Sequence, residues 1–64
     1  MIQNAKKRKE RQQELEALAK SQPERVEELF RQYYPEVAVP EVGSLMIQNI
    51  VAHEFELEPT LFQG

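Results

Sequence analysis

Residues 21–35, Ser-Gln-Pro-Glu-Arg-Val-Glu-Glu-Leu-Phe-Arg-Gln-Tyr-Tyr-Pro, decide the fold class. Val26, Leu29, Phe30 and Tyr33 recur at i, i+3, i+4 and i+7, which is one apolar stripe along a helix. Ser21, with Glu24 three residues on, reads as a capping box, and Pro23 suits a first helical turn because its missing N–H has no partner there anyway. Tyr34 stands before Pro35, whose ring disfavours the α region for the preceding residue, so the helix is expected to end there.

Upstream, residues 4–20 are Ala, Lys, Arg, Gln, Glu and Leu after the opening Asn4, with no Gly, Pro or β-branched residue, a helix on propensity alone. Its apolar stripe is thin. Leu15, Leu18 and Ala19 form one patch, continued weakly by Gln12 and Ala5. The C-terminal third is therefore expected to dock, and the first two turns to project into water or onto a partner. Spacing of four sets Lys7 against Arg11 in repulsion and Glu16 against Lys20 in attraction.

Downstream, Pro35-Glu36-Val37-Ala38-Val39-Pro40-Glu41-Val42-Gly43 has two φ-restricting prolines and no helical period, and reads as a semi-rigid extended strap. Val37 and Val39 would point the same way from it. Such a strap suits a linker, or a ligand for a sheet edge or an aromatic groove. Ser44 reads as the cap of a third helix with Met46, Ile47, Ile50 and Val51 on one apolar face. The end, from Phe55 to Gly64, alternates apolar and acidic residues and then presents Leu61 and Phe62. The expected fold is all-α: two to three short helices with a Pro-rich extended strap and an apolar C-terminal tail. It divides as a charged helical hairpin (1–34), the strap (35–43) and a short helix plus docking tail (44–64), one small module in all. Leu15, Leu18, Val26, Leu29, Phe30, Tyr33, Ile47, Ile50 and Val51 are the expected core or interface.

With 64 residues there is room for one domain, and chains of this size bury only about 60% of their unfolded surface. The absence of Cys excludes a disulfide framework and thiolate zinc sites, and a single His, His53, argues against a histidine metal cage. No cofactor or metal is expected, and partner binding is left as the source of stability, so the chain is expected to be ordered mainly within a complex. No apolar run exceeds three residues, as in Leu45-Met46-Ile47, far below the roughly 20 that a spanning helix needs. No apolar segment follows Met1 as in a secretory signal, so a soluble, cytoplasmic protein is expected, with a virion setting compatible.

Charge is divided between the two ends. Residues 1–20 carry six basic and three acidic side chains (+3) and residues 21–64 two basic and eight acidic (−6), which together give the net −3. Most of the basic charge is one run, Lys6-Lys7-Arg8-Lys9, followed by Arg11. It reads as a contact for phosphate or for an acidic surface, as an import-like basic peptide, or as a solvated face. No aromatic residue accompanies it to stack on bases, so phosphate contact without base readout is the most it implies.

Catalytic constellations are not found. Both serines read as caps, His53 and Glu54 are adjacent on a helix and so point about 100° apart, and two glycines do not make a phosphate loop. An enzyme is not expected.

Residues 50–62, Ile-Val-Ala-His-Glu-Phe-Glu-Leu-Glu-Pro-Thr-Leu-Phe, resemble the middle of a helix-turn-helix: an Ala, a Phe three residues on, then Leu-x-Pro-Thr opening a second helix. Regulators of that kind usually carry Gly where Glu56 stands, because the turn residue there often adopts φ > 0. The sequence reaches Gly64 before a recognition helix of that type could form, so groove reading by this segment is not expected. Separately, Thr60-Leu61-Phe62-Gln63-Gly64 resembles the cleavage site of picornavirus-type cysteine proteases, which implies a scissile bond after Gln63 and nothing about residues 1–62.

The function expected is non-catalytic: a small structural subunit or adaptor that docks on a larger protein assembly, such as a viral or phage particle, through Phe30, Tyr33, Val37, Val39, Leu61 and Phe62. The competing class is a nucleic-acid-binding accessory protein that uses Lys6, Lys7, Arg8, Lys9 and Arg11, or the helix-turn-helix-like segment.

Overall fold

Three helices follow one another: α1 (Ile2–Ser21), α2 (Pro23–Tyr33) and α3 (Ser44–Glu54), with no strand among the described residues. A computed structural model describes residues 2–57, with side chains from residue 5 onward. The expected tail contacts of Leu61 and Phe62, the bond after Gln63 and the second helix of the helix-turn-helix-like segment lie outside the described residues.

Only Gln22 separates α1 from α2, and it corrects the expected cap. Ser21 is the last residue of α1, its hydroxyl donating to the Ala17 carbonyl at 3.3 Å. The N-cap of α2 is Gln22, at φ −141° and ψ 72°, without a side-chain capping bond. The reason is local: the residue before Pro23 is the one kept out of the α region, so the break falls one residue after Ser21. Backbone bonds close the joint from both sides, Gln22 N–H donating to Leu18 O at 2.6 Å and Arg25 N–H to Gln22 O at 3.0 Å.

Helix α2 ends where Pro35 requires. Tyr34 is its C-cap, with its N–H bonded to Phe30 O at 2.8 Å, and Val37 N–H donates to Tyr34 O at 3.2 Å in the turn that follows. The connection 34–43 has neither helix nor strand, and its Val37, Val39 and Val42 pack half-buried against the core.

A second correction concerns Ser44, which is the first residue of α3 and not its cap. The N-cap is Gly43, in an extended conformation with no side chain to offer. A third concerns the shape of α3, expected to have one apolar face. Met46, Ile47, Asn49, Ile50, Val51 and Ala52 are all buried, because α1, α2 and the valines of the connection cover the helix from several directions.

The core is Leu15 from α1, Val26 and Phe30 from α2, and Met46, Ile47, Ile50 and Val51 from α3. Leu18, Ala19, Leu29 and Tyr33 pack at its edge. One polar residue lies inside. Asn49 donates to the Leu45 carbonyl at 2.8 Å, and its own carbonyl accepts from the Tyr34 hydroxyl at 2.9 Å, so burial leaves these groups hydrogen-bonded.

Helix α3 closes on a left-handed residue. Glu56 has φ 58°, Glu56 N–H donates to His53 O at 3.3 Å and Leu57 N–H to Ala52 O at 2.7 Å. These two bonds make a Schellman turn, normally built on Gly because the αL conformation crowds a Cβ. The positive φ falls at the position where the helix-turn-helix resemblance pointed to one.

Candidate interaction surfaces

Three features outside the core could carry function. The first is a polar joint where all three helices meet. Arg11 of α1 forks onto Glu54 of α3, Nε to Oε1 and Nη2 to Oε2, both at 2.9 Å, and Nη1 reaches Glu14 Oε1 at 2.8 Å. Tyr33 of α2 donates its hydroxyl to Glu54 Oε2 at 2.7 Å. Two parallel bonds from a guanidinium to a carboxylate fix orientation as well as charge. The Arg11 hydrogen bonds, opposed by desolvation and helped by the Tyr33 hydroxyl, hold the Glu54 carboxyl below its ordinary value of 4.5. Burial, and then the bond to Glu54, pushes the Tyr33 phenol up from 10.0, and burial alone pushes Tyr34 up. The Arg11 guanidinium is held more firmly protonated, chiefly by its bond to Glu54.

His53 meets this network through charge and stacking: it adds to what holds the Glu54 carboxyl down. Its ring is exposed and stacks on Tyr33 with centroids 4.2 Å apart, its edge toward Tyr34 at 5.3 Å. Among the described residues no group of three or more His, Asp or Glu side chains is placed to hold a metal ion.

The second feature is the basic run, and it divides. Arg11 is tied into the joint and is not free for phosphate. Lys6, Lys7 and Lys9 are exposed and Arg8 half-exposed, and none of the four forms an ion pair with a described carboxylate.

The third is an open, mostly apolar cleft of about 340 Å³ lined by Pro40, Glu41, Val42, Gly43, Ser44 and Leu45. Leu45, on the first turn of α3, is 55% exposed, and Leu57 beyond the Schellman turn is 42% exposed. These are the two large exposed hydrophobes among the described residues. The residues proposed from sequence for protein contact lie elsewhere. Phe30 is fully buried, Tyr33 is half-buried in the joint, and Val37 and Val39 pack toward the chain's own core. Leu45 was missed because it opens the run Leu45-Met46-Ile47, in which hydropathy does not separate the one outward residue from two buried ones. Gln48, three residues on and also exposed, was the available signal.

No helix among the described residues is long and apolar enough to cross a membrane. No protein-family model, curated protein or solved structure matches the chain.

Proposed function

We propose that this chain is a non-catalytic interaction module, a structural subunit or adaptor that docks on a larger protein through the cleft between residues 40–43 and the first turn of α3. The observation that carries this reading is Leu45, a large side chain left 55% exposed beside an apolar cleft in a chain that buries its other α3 hydrophobes. A small domain has little apolar surface to leave in water, and an exposed leucine that borders an apolar cleft suits a contact site better than an isolated one would. Glu41 at the cleft edge would select against an acidic neighbour.

Photo-crosslinking tests the reading. A photoreactive residue at position 45, introduced into the chain in its native host, should give one discrete adduct that the same residue at exposed position 28 does not. Leu45→Ser should abolish capture of that adduct's partner while leaving the helical circular dichroism unchanged. Adducts of equal intensity from both positions, or none from 45, would overturn the assignment.

A further inference from the structure

The run Lys6-Lys7-Arg8-Lys9 does nothing for the fold that the structure records. Helical neighbours of opposite charge could stabilise α1, yet among the described residues Lys6 and Glu10, four apart, form no ion pair, and neither do the other three cations. The first turn of α1 contains no acidic residue, so the helix start has no compensating negative charge, the reverse of what its dipole favours. Arg11, by contrast, is fully engaged within the chain. The four remaining cations are left without a described carboxylate.

Their arrangement narrows what they can meet. Successive helical residues are about 100° apart, so the four cations form a partial collar: Lys6, Lys7 and Lys9 are exposed, and Arg8, half-exposed, lies on the side that carries Arg11, Gln12 and Leu15 toward the core. The described residues leave its three lysines exposed, and Leu15, the residue of α1 fully buried in the core, comes nearly two turns further on. A 20-residue helix is about 30 Å long against about 16 Å for the 11-residue α2 and α3, so the part of α1 before Arg11 can extend into a cleft beyond the joint. An acidic protein surface would meet one side of such a collar. A duplex major groove, about 12 Å wide, takes a helix about 10–12 Å across and places phosphates along both of its flanks.

We infer that the part of α1 before Arg11 is a binding site for double-stranded nucleic acid, lying in the major groove with Lys6, Lys7, Arg8 and Lys9 on the phosphates that line it. The contact is independent of sequence in this arrangement, since Arg8 and the three lysines are spent on phosphates and Arg11, the next guanidinium, is held by Glu54. Residues 21–64, at net −6, are repelled by the same phosphates and confine the contact to this end. The inference uses a different surface from the Leu45 cleft and stands or falls separately.

Fluorescence anisotropy of the whole chain with a labelled 20-bp DNA duplex of arbitrary sequence, at several salt concentrations, tests it. With three to four phosphates neutralised, log K should fall against log salt with a slope of about −2.7 to −3.6, which is about a 40- to 150-fold loss between 50 and 200 mM. The variant Lys6→Gln/Lys7→Gln/Arg8→Gln/Lys9→Gln should lose binding with its helical signal retained. Should that variant fold poorly, Lys6→Ala/Lys9→Ala should still reduce the slope by about two, while Lys20→Gln leaves it unchanged. A slope shallower than −1, binding retained by the fourfold variant, or equal affinity for single strands of the same charge would overturn the inference. So would equal affinity for poly-glutamate, which would assign the collar to an acidic protein.

Discussion

Helices α1 and α3 contrast in what makes each of them a helix. Six of the 11 residues of α3 are buried, although its sequence is rich in β-branched Ile and Val. Packing on several sides overrides modest propensity there. The 20 residues of α1 are nearly all strong helix formers, and Leu15 is the one described side chain it buries fully. Its attachment rests on Leu15, the half-buried Leu18 and Ala19, and the Arg11 fork. One helix is therefore defined by the core and the other by its own backbone preference plus a few anchors. That leaves the far end of α1 available for contacts of its own.

The strongest way to break this contrast is to truncate the core under α3. Phe30→Ala should cost about 3–5 kcal/mol and Ile50→Ala about 2–5, because both side chains are fully buried and leave cavities. Gln13→Ala on the exposed side of α1 should stay within about ±0.5 kcal/mol. Urea melts of the three variants check this. A Gln13 effect as large as that of Phe30 would show that α1 is integrated as fully as α3.

The polar joint gives a test of intermediate size. Glu54→Gln removes the charged acceptor for Arg11 and Tyr33 and should cost about 1–3 kcal/mol, with amide protection lost first over residues 5–12 and retained in α3. The pH dependence carries its own sign. The folded-state value for Glu54 is depressed, so its stabilisation is fully present above about 4.5 and is lost as pH falls through the lower folded value. Tyr33 runs the other way: its folded value is raised, so its part is present below about 10 and is lost as pH rises through that raised value. Glu54→Gln should therefore flatten the acid limb of a stability–pH curve. An unchanged acid limb would remove Glu54 as its source.

The smallest effect sharpens how α3 ends. Glu56 holds an αL conformation that costs a side-chain-bearing residue more than it costs Gly. Glu56→Gly should raise stability by about 0.5–1 kcal/mol, the relief exceeding the added freedom of the unfolded chain. A thermal melt displaced downward would mean that the glutamate side chain makes a compensating contribution.

How far the sequence reached follows from which forces are local. The end of α2 was legible because Pro35 acts on its immediate neighbour, and Pro23 lies in the first turn as read. The apolar stripe of α2 placed Val26 and Phe30 correctly in the core, and Leu15 and Ile50 were equally readable. Ser21 and Ser44 were misread because a cap is defined by where the helix breaks, and Gln22 and Gly43 take those positions. Asn49 is polar, yet its burial depends on Tyr34 and α3 meeting in space. The fork from Arg11 to Glu54 joins residues 43 apart, and no local pattern announces it. That is also why Arg11 was grouped with the free cations when it belongs to the joint.

The same separation has a kinetic consequence. Helices α1 and α2, joined through Gln22 alone, can meet after closing a very short loop, whereas the Arg11–Glu54 fork must bring together groups 43 residues apart. Contacts between neighbours in sequence form ahead of those that enclose a long loop, so the fork is a late step in assembly. Interactions completed after the transition state govern how fast a structure comes apart more than how fast it forms. A single carboxylate at the end of α3 thus acts as a brake on the departure of α1.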